Sequence, residues 1–170
     1  MKSISRKIIE TPLGQIFACA VDEGICLLEF TDGKNLDRKF QSLSKSLHAE
    51  IEEKDHDHFK QLEVELREYF EGKRNKFEVP IFTTGTEFQK KVWQLLCEIP
   101  FGELRTYKQQ SELLGNVKAI RAVGTANGIN KIAIIIPCHR VIGSNGELVG
   151  YAGGIWRKQK LLELEKAILF

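Results

Sequence analysis

The residues best suited to covalent chemistry in this chain are Cys138 and the His139-Arg140 pair that follows it. A cysteine is a strong nucleophile only as the thiolate, which a neighbouring base or positive charge favours. His139 could supply the base and Arg140 the charge, so the three residues form a candidate nucleophilic site. Adjacency in sequence does not place the imidazole beside the sulfur. An inert buried cysteine next to a surface histidine is therefore the alternative.

The segments around Cys138 predict how it is held. Ile132–Ile136 is a fully apolar run that predicts a buried strand leading to Pro137 and the cysteine. After the cysteine, residues 143–146 (Gly-Ser-Asn-Gly) predict a turn between short extended pieces, like a wing. The apolar spacing from Arg157 to Leu169 predicts a final helix.

Upstream of this run the sequence predicts three helices with short connections. They are Glu87–Cys97, Tyr107–Leu114 and Val117–Asn127. Thr86 and Thr106 are suitable N-caps for the first two. The turn at Gly115-Asn116 joins the last two, and two short helices around a glycine-containing turn are typical of a helix-turn-helix. Cys97 is expected in the core.

The first half of the chain has a different pattern. Short strands are predicted from Ile4 to Phe30, with a tight turn at residues 22–24. Weak helical spacing follows from Leu36 to Leu47, and a clearer helix is predicted over Phe59–Phe70. The charge run Glu50–Asp57 is expected to be a solvated surface. We therefore expect an α+β protein of two domains, residues 1–85 and 86–170.

Composition narrows the functional classes. Residues 1–85 carry 13 basic and 16 acidic side chains, whereas residues 86–170 carry 12 and 7, within a total net charge of +2. A basic half is suited to a polyanion such as DNA, although a chance imbalance remains the alternative. We see no signal peptide and no apolar run of about 18 residues, so we expect a cytoplasmic protein, nucleoid-associated if prokaryotic, with no membrane partner. Cys19 and Cys26 do not have the spacing of a zinc site, and we expect no metal.

Four segments carry a resemblance to a known family, in the same order and with the same spacing. They are residues 100–107 (PFGELRTY), 120–124 (IRAVG), 136–141 (IPCHRV) and 150–154 (GYAGG). The third resembles the active-site signature of O6-alkylguanine-DNA alkyltransferases, also called methylated-DNA–protein-cysteine methyltransferases. The others resemble the segment before the family's second DNA-binding helix, its recognition helix and its substrate loop. Together they span about residues 86–166, while the first half resembles the family's variable N-terminal domain only loosely.

The resemblance implies a fold and a reaction. The fold would be a small N-terminal antiparallel-sheet domain, ribonuclease-H-like, followed by a winged helix-turn-helix-like domain. The reaction would be DNA repair by direct reversal. An alkyl group moves from O6 of guanine to Cys138, irreversibly, once per molecule and without a cofactor. Whether O4-alkylthymine is also a substrate stays open.

The resemblance also assigns catalytic roles. Cys138 would be the acceptor, and His139 would take the thiol proton through a water. Glu165 would orient that histidine, Asn130 would hold the turn before the cysteine, and Tyr107 would donate a proton to the departing guanine. Without the resemblance, Glu165 would be interpreted as a solvated carboxylate at a helix end.

The DNA-binding roles follow in the same way. Arg121 would enter the base stack in place of a flipped nucleotide while its helix lies in the minor groove, and the protein would act as a monomer on double-stranded DNA. The remaining residues implied to bind DNA or substrate are Thr106, Ala122, Gly124, Arg140, Val141, Tyr151, Ala152, Gly153, Gly154 and Lys158. For Lys158, an ordinary surface lysine is the alternative.

Two positions depart from the family pattern. Lys131 stands where the family usually has proline, which puts the rigidity of the Asn130 turn in doubt. Ala152 stands where some relatives have serine, whose side chain could donate a hydrogen bond to the lesion oxygen. Here the backbone N–H groups of Gly153 and Gly154 would have to donate that hydrogen bond instead.

Three other functions compete with this one. An alkyltransferase-like protein that flags lesions without repairing them usually lacks the cysteine, so Cys138 argues against it. A transcription regulator could use the helix-turn-helix; some relatives join the same domain to a metal-binding regulatory domain, but this chain lacks the cysteine cluster of that domain. A papain-like hydrolase usually has its cysteine and histidine far apart in sequence.

Overall fold

A computed structural model describes residues 3–168 of the chain, which fall into two compact units. One unit ends at Thr84 and the other begins at Gly85. No helix among residues 3–168 is long and apolar enough to cross a membrane.

The first unit contains a four-stranded sheet. Its strands are β1 (Ser3–Thr11), β2 (Gly14–Val21), β3 (Gly24–Phe30) and β4 (Glu50–Glu53), in the order β3-β2-β1-β4. The pairs β1–β2 and β2–β3 are antiparallel, as predicted, whereas β4 pairs with β1 in parallel. The sheet is therefore mixed. The sequence did not predict β4, because an exposed edge strand of charged residues has no apolar alternation to reveal it.

Two helices pack on this sheet, α1 (Leu36–Leu47) and α2 (Asp57–Phe70). The turn before β3 requires glycine, because Gly24 has φ +150° and a Cβ there would lie 2.6 Å from the Pro80 carbonyl oxygen. Cys19 and Cys26 lie in the core of this unit with free thiols.

The second unit is mainly helical. Its elements are α3 (Glu87–Cys97), β5 (Arg105–Thr106), α4 (Tyr107–Leu113), α5 (Ile120–Gly128), β6 (Val141–Ile142) and α6 (Ile155–Leu164). Thr86 and Thr106 cap α3 and α4 through capping boxes with Gln89 and Gln109, which confirms both predicted N-caps. A single 3₁₀ turn, Val117–Ala119, joins α4 to α5 and completes the predicted helix-turn-helix.

Four predictions for this unit need correction. Ile132–Ile136 is not a strand: Ile132 forms an isolated bridge, and a turn and a bend follow it. A buried apolar run has no periodicity that distinguishes a strand from a buried loop. Cys97 is exposed rather than in the core. The turn at residues 143–146 forms, but β6 before it pairs in parallel with β5 rather than with a strand beyond the turn. The last helix begins at Ile155 and ends at Leu164, and Leu169 lies outside the described residues.

Candidate active site

The side-chain amide of Asn130 organises the loop that leads to Cys138. Its Oδ1 accepts from the N–H of Ile132 at 2.9 Å, and its Nδ2 donates to the carbonyl oxygen of Ile136 at 3.0 Å. Ile134 within the loop has φ +71°, which is unfavourable for a β-branched residue. The amide thus supplies hydrogen bonds that a strand would have obtained from a sheet. Lys131, the departure from the family pattern, is buried with its Nζ 5.7 Å from the centroid of the Trp93 ring.

Cys138 opens a one-turn 3₁₀ helix, Cys138–Arg140, and is half-buried. The same Nδ2 of Asn130 donates to the Cys138 sulfur at 3.3 Å. An N–H donor directed at sulfur stabilises the thiolate relative to the thiol. Asn130 therefore both shapes the loop and contacts the atom predicted to react.

The 3₁₀ turn places His139 in a fully buried pair with Glu165. The imidazole Nε2 lies 2.8 Å from Glu165 Oε2, and neither side chain is exposed to solvent. Because an ionised carboxylate only accepts hydrogen bonds, Nε2 must carry the proton. The other ring nitrogen, Nδ1, has no hydrogen-bond partner among the described residues. In a neutral imidazole, Nδ1 is then the basic nitrogen.

The same carboxylate also binds Arg140. Arg140 Nε donates to Glu165 Oε1 at 2.7 Å and Nη2 to Oε2 at 3.1 Å, while Nη1 donates to the Ile99 carbonyl oxygen at 2.6 Å. Sequence reasoning placed Arg140 among the DNA-binding residues. The structure instead commits all three of its guanidinium nitrogens inside the protein, where they fix the carboxylate that holds His139.

Burial and charge set the protonation states of this cluster. Burial lowers the pKa of His139, against the raising effect of Glu165, so the imidazole is neutral near pH 7. Burial alone would raise the pKa of Glu165, but the hydrogen bonds and charges of His139 and Arg140 outweigh it and lower that pKa to about 2. The pair therefore consists of a neutral imidazole and an ionised carboxylate whose charge Arg140 balances.

The end of α6 presents Glu165. Lys166 takes a left-handed conformation with φ +58°, and the bonds from Lys166 N to Glu163 O and from Ala167 N to Leu162 O form a Schellman motif. Gly102, with φ +84°, brings the turn of residues 100–103 to the Glu165 backbone, since a Cβ there would lie 3.2 Å from the Glu165 carbonyl oxygen. This turn lies in residues 100–107, the first of the four segments that resemble the family. That segment therefore packs against Glu165 as well as leading into α4.

Tyr107 and Lys158 meet at the carbonyl group of Val149, directly before the predicted substrate loop of residues 150–154. Tyr107 Oη donates to the Val149 carbonyl oxygen at 3.1 Å, and Lys158 Nζ donates to the same oxygen at 2.9 Å and to that of Gly150 at 3.2 Å. Lys158 is fully buried, so it is not the surface lysine of the alternative interpretation. Burial lowers its pKa to about 8, opposed by the charge of Cys138.

The rest of the loop lies close to the buried pair. The Tyr151 ring is half-buried, edge-on to His139 with centroids 6.5 Å apart. Ala152 is half-buried, and the Gly153 carbonyl oxygen accepts from Arg157 Nη1 at 3.1 Å. Gly154 has φ +94° and precedes α6 directly. The loop is thus anchored at Val149, Gly150 and Gly153.

The remaining predicted residues fall in two places. Arg121 and Ala122 are exposed on α5, and Gly124 on the same helix has open space where a Cβ would stand. Val141 is fully buried in β6, and the side chain of Thr106 is engaged in its capping box. The structure thus brings the predicted catalytic residues around Cys138, while Arg121 and Ala122 present an open helix surface.

Sequence reasoning missed two features of the site. One is the clamp of Arg140 on Glu165, although the arginine stands in the resembling segment. The other is Asn127, a buried polar residue of α5 for which no motif gave a signal. No group of three histidine, cysteine or acidic side chains within residues 3–168 is arranged to hold a metal ion.

Two family models together match most of the chain. The ribonuclease-like domain of 6-O-methylguanine DNA methyltransferase matches residues 4–83, and the DNA-binding domain of the same family matches residues 87–167. The methylated-DNA–protein-cysteine methyltransferase of Methanosarcina barkeri is 46% identical over 160 residues, covering 94% of this chain and 95% of the relative.

Solved structures agree with the family models. The crystal structure of Mycobacterium tuberculosis OGT in complex with DNA has a TM-score of 0.81 and 37% identity, covering 96% of this chain and 93% of that one. The O6-methylguanine-DNA methyltransferase of Pyrococcus kodakaraensis has a TM-score of 0.66 at 23% identity and shows the same fold.

Proposed function

Because this chain belongs to the 6-O-methylguanine DNA methyltransferase family, we propose that it repairs DNA by moving an alkyl group from O6 of guanine to the sulfur of Cys138. It is a DNA-binding methyltransferase whose acceptor is a cysteine of its own chain. Its reaction class is alkyl displacement without a cofactor.

The observation that carries the proposal is the buried His139–Glu165 pair beside a half-buried cysteine. Glu165 fixes the imidazole with its proton on Nε2, so Nδ1 is left to receive the thiol proton through a bridging water. As that proton arrives, the imidazolium is stabilised by the carboxylate, as in other nucleophile–base–orienter sets. Arg140 keeps the carboxylate ionised and fixed in place.

The transfer step conserves atoms and charge. The thiolate sulfur attacks the alkyl carbon from the side opposite the guanine oxygen, so an S–C bond forms while the C–O bond breaks. The electron pair of the broken bond passes to the guanine, which develops negative charge. Tyr107 donates its hydroxyl proton to a ring nitrogen of that guanine, and a nearby donor of this kind lowers the barrier. The product thioether has no easy route back, so each molecule acts once.

Access to the lesion requires a flipped nucleotide, because O6 of a stacked guanine is out of reach of any side chain in this pocket. We propose that α5 lies in the minor groove and that Arg121 fills the gap in the base stack. Its exposure and the small residues Ala122 and Gly124 beside it favour close approach to DNA. Residues 86–170 carry more basic than acidic side chains, which supports binding to phosphates. Each chain contains the whole cluster of Cys138, His139 and Glu165, so we propose that it acts as a monomer.

Transfer of a labelled methyl group tests this function. Duplex DNA carrying labelled O6-methylguanine should lose its label to the protein up to one methyl per chain and no further, however large the excess of DNA. Cys138→Ala should retain affinity for the lesion and accept no label. Equal loss of binding and transfer in Cys138→Ala, or continued turnover of the wild type, would contradict the proposal.

A further inference from the structure

Asn127 is a buried polar residue with no evident structural role. It lies on α5 with 7% of its surface exposed, and neither the oxygen nor the nitrogen of its side-chain amide has a hydrogen-bond partner among the described residues. Buried amides in native proteins nearly always have partners, so an unpartnered one calls for an explanation. Asn130 on the following turn shows the contrast, because its amide makes several hydrogen bonds.

Asn127 lies on α5, which packs against α4, the helix that begins at Tyr107, and its amide is close enough to influence the Tyr107 hydroxyl. Burial and the charge of the Cys138 sulfur raise the pKa of Tyr107, and the Asn127 amide opposes them. The Tyr107 hydroxyl itself, however, donates to the Val149 carbonyl oxygen. The Tyr107 hydroxyl thus has two polar neighbours: the Val149 carbonyl oxygen, to which it donates, and the Asn127 amide.

The Val149 carbonyl does not depend on Tyr107. Lys158 Nζ donates to the same oxygen at 2.9 Å, so that oxygen keeps a partner if the hydroxyl departs. The Lys158 Nζ also lies 6.0 Å from the centroid of the Tyr107 ring. Movement of the hydroxyl toward a bound base would therefore leave the Val149 carbonyl with a donor.

We propose that Asn127 is a positioning residue for Tyr107. When the lesion base draws the hydroxyl away from Val149, the amide nitrogen of Asn127 donates a hydrogen bond to Tyr107 Oη and holds it for proton transfer. The proton then passes from Oη to a ring nitrogen of guanine while the C–O bond of the lesion breaks. The negative charge left on Oη is stabilised by the amide N–H until water returns a proton. This inference rests on the proposed function, and within it on the role of Tyr107.

A double-mutant cycle tests the coupling between the two residues. The rate of methyl transfer from duplex DNA is measured for the wild type, Asn127→Leu, Tyr107→Phe and the double variant. Asn127→Leu should slow transfer about 10-fold when Tyr107 is present, as loss of a hydrogen bond to a charge-bearing group does. In the Tyr107→Phe background the same change should slow transfer by less than about twofold, because the group it assists is gone.

Stability separates a positioning role from a structural one. Leucine has a similar size to asparagine and no polar atoms, so Asn127→Leu should unfold at a temperature no lower than the wild type. Gln61→Leu on α2, which removes an amide bonded to Glu65, is the matched control and should leave the transfer rate unchanged. Equal slowing of transfer by Asn127→Leu in both Tyr107 backgrounds, or a lower unfolding temperature for Asn127→Leu, would overturn the inference. Failure of the wild type to transfer methyl at all would instead overturn the proposed function.

Discussion

The Nε2 of His139 lies 2.8 Å from Oε2 of Glu165 in a pair that is wholly buried. Glu165 is shared, since its two oxygens also accept from Arg140. A buried carboxylate without a permanent positive partner would be protonated or would draw a proton to the histidine. The arginine therefore allows the histidine to stay neutral, and so basic, beside an ionised glutamate.

Replacing Glu165 by glutamine should disable the base. A glutamine amide can donate to Nε2 as well as accept from it, so the imidazole loses its fixed tautomer, and the buried Arg140 loses its counter-charge. We expect methyl transfer to slow by about 100-fold or more and the free energy of unfolding to fall by about 3 kcal/mol. Single-turnover transfer kinetics and urea unfolding measure the two effects. A variant with wild-type kinetics would show that Glu165 has no part in activating the cysteine.

Arg140 and Arg121 should differ in a way that separates positioning from DNA binding. Arg140→Lys cannot reproduce the three-nitrogen clamp, so we expect it to slow reaction with free O6-benzylguanine and with duplex DNA to the same extent. Arg121→Ala should slow only the duplex reaction, by about 10-fold or more, since flipping is needed only there. If Arg140→Lys weakened the duplex reaction alone, the assignment of Arg140 from sequence as a DNA-binding residue would be right after all.

Asn130→Ala should damage both the loop and the reaction. It removes the partners of the Ile132 N–H and the Ile136 carbonyl and the donor to the Cys138 sulfur, so we expect a loss of about 3 kcal/mol of stability and slower reaction with O6-benzylguanine. Asn116→Ala is the matched control, because Asn116 only caps the Val117–Ala119 turn. It should cost about 1 kcal/mol and leave that reaction rate unchanged. Similar kinetics for the two variants would contradict the role of Asn130.

The pKa of Glu165 predicts how acid destabilises the protein. Its pKa is lowered from 4.5 to about 2 on folding, so the stabilisation is complete above pH 4.5 and is lost as the pH falls toward 2. A shift of this size corresponds to about 3 kcal/mol. His139, whose pKa is also lowered, adds a loss of stability that begins below pH 6.5, because the unfolded chain takes up a proton that the folded chain does not.

Urea unfolding of the wild type and Glu165→Gln at a series of pH values between 7 and 2 measures this effect. The wild type should lose stability between pH 4.5 and 2 more steeply than the variant. Parallel curves in that interval would show that Glu165 is not the group that titrates.

Local sequence signals were sufficient to predict much of the secondary structure of the second unit. Thr86 and Thr106 identified two helix starts because a capping box depends only on residues three apart. The last helix was harder, since its Schellman end relies on Lys166 in a conformation that usually marks glycine. The run Ile132–Ile136 was assigned to a strand because nothing local shows that Asn130 replaces the sheet as its hydrogen-bond partner.

The site was predictable in its residue types and not in its geometry. The order of Cys138 and His139 is visible in the chain, but the contact between His139 and Glu165 joins positions 26 residues apart. Arg140 shows the limit most clearly. An arginine beside a reactive cysteine, in the basic half of the chain, suggests DNA binding. Only the fold shows that its guanidinium group pairs with the buried carboxylate of Glu165.

Peptide mass mapping after reaction tests the central claim most directly. The chain has four cysteines, of which Cys19 and Cys26 lie in buried strands and Cys97 is exposed outside the cluster. After incubation with duplex DNA containing O6-methylguanine, the peptide that holds Cys138 should gain the mass of one CH₂ group while the other three cysteines stay unchanged. A methyl group on Cys97, or no gain on any cysteine from a protein that binds the lesion, would contradict the account.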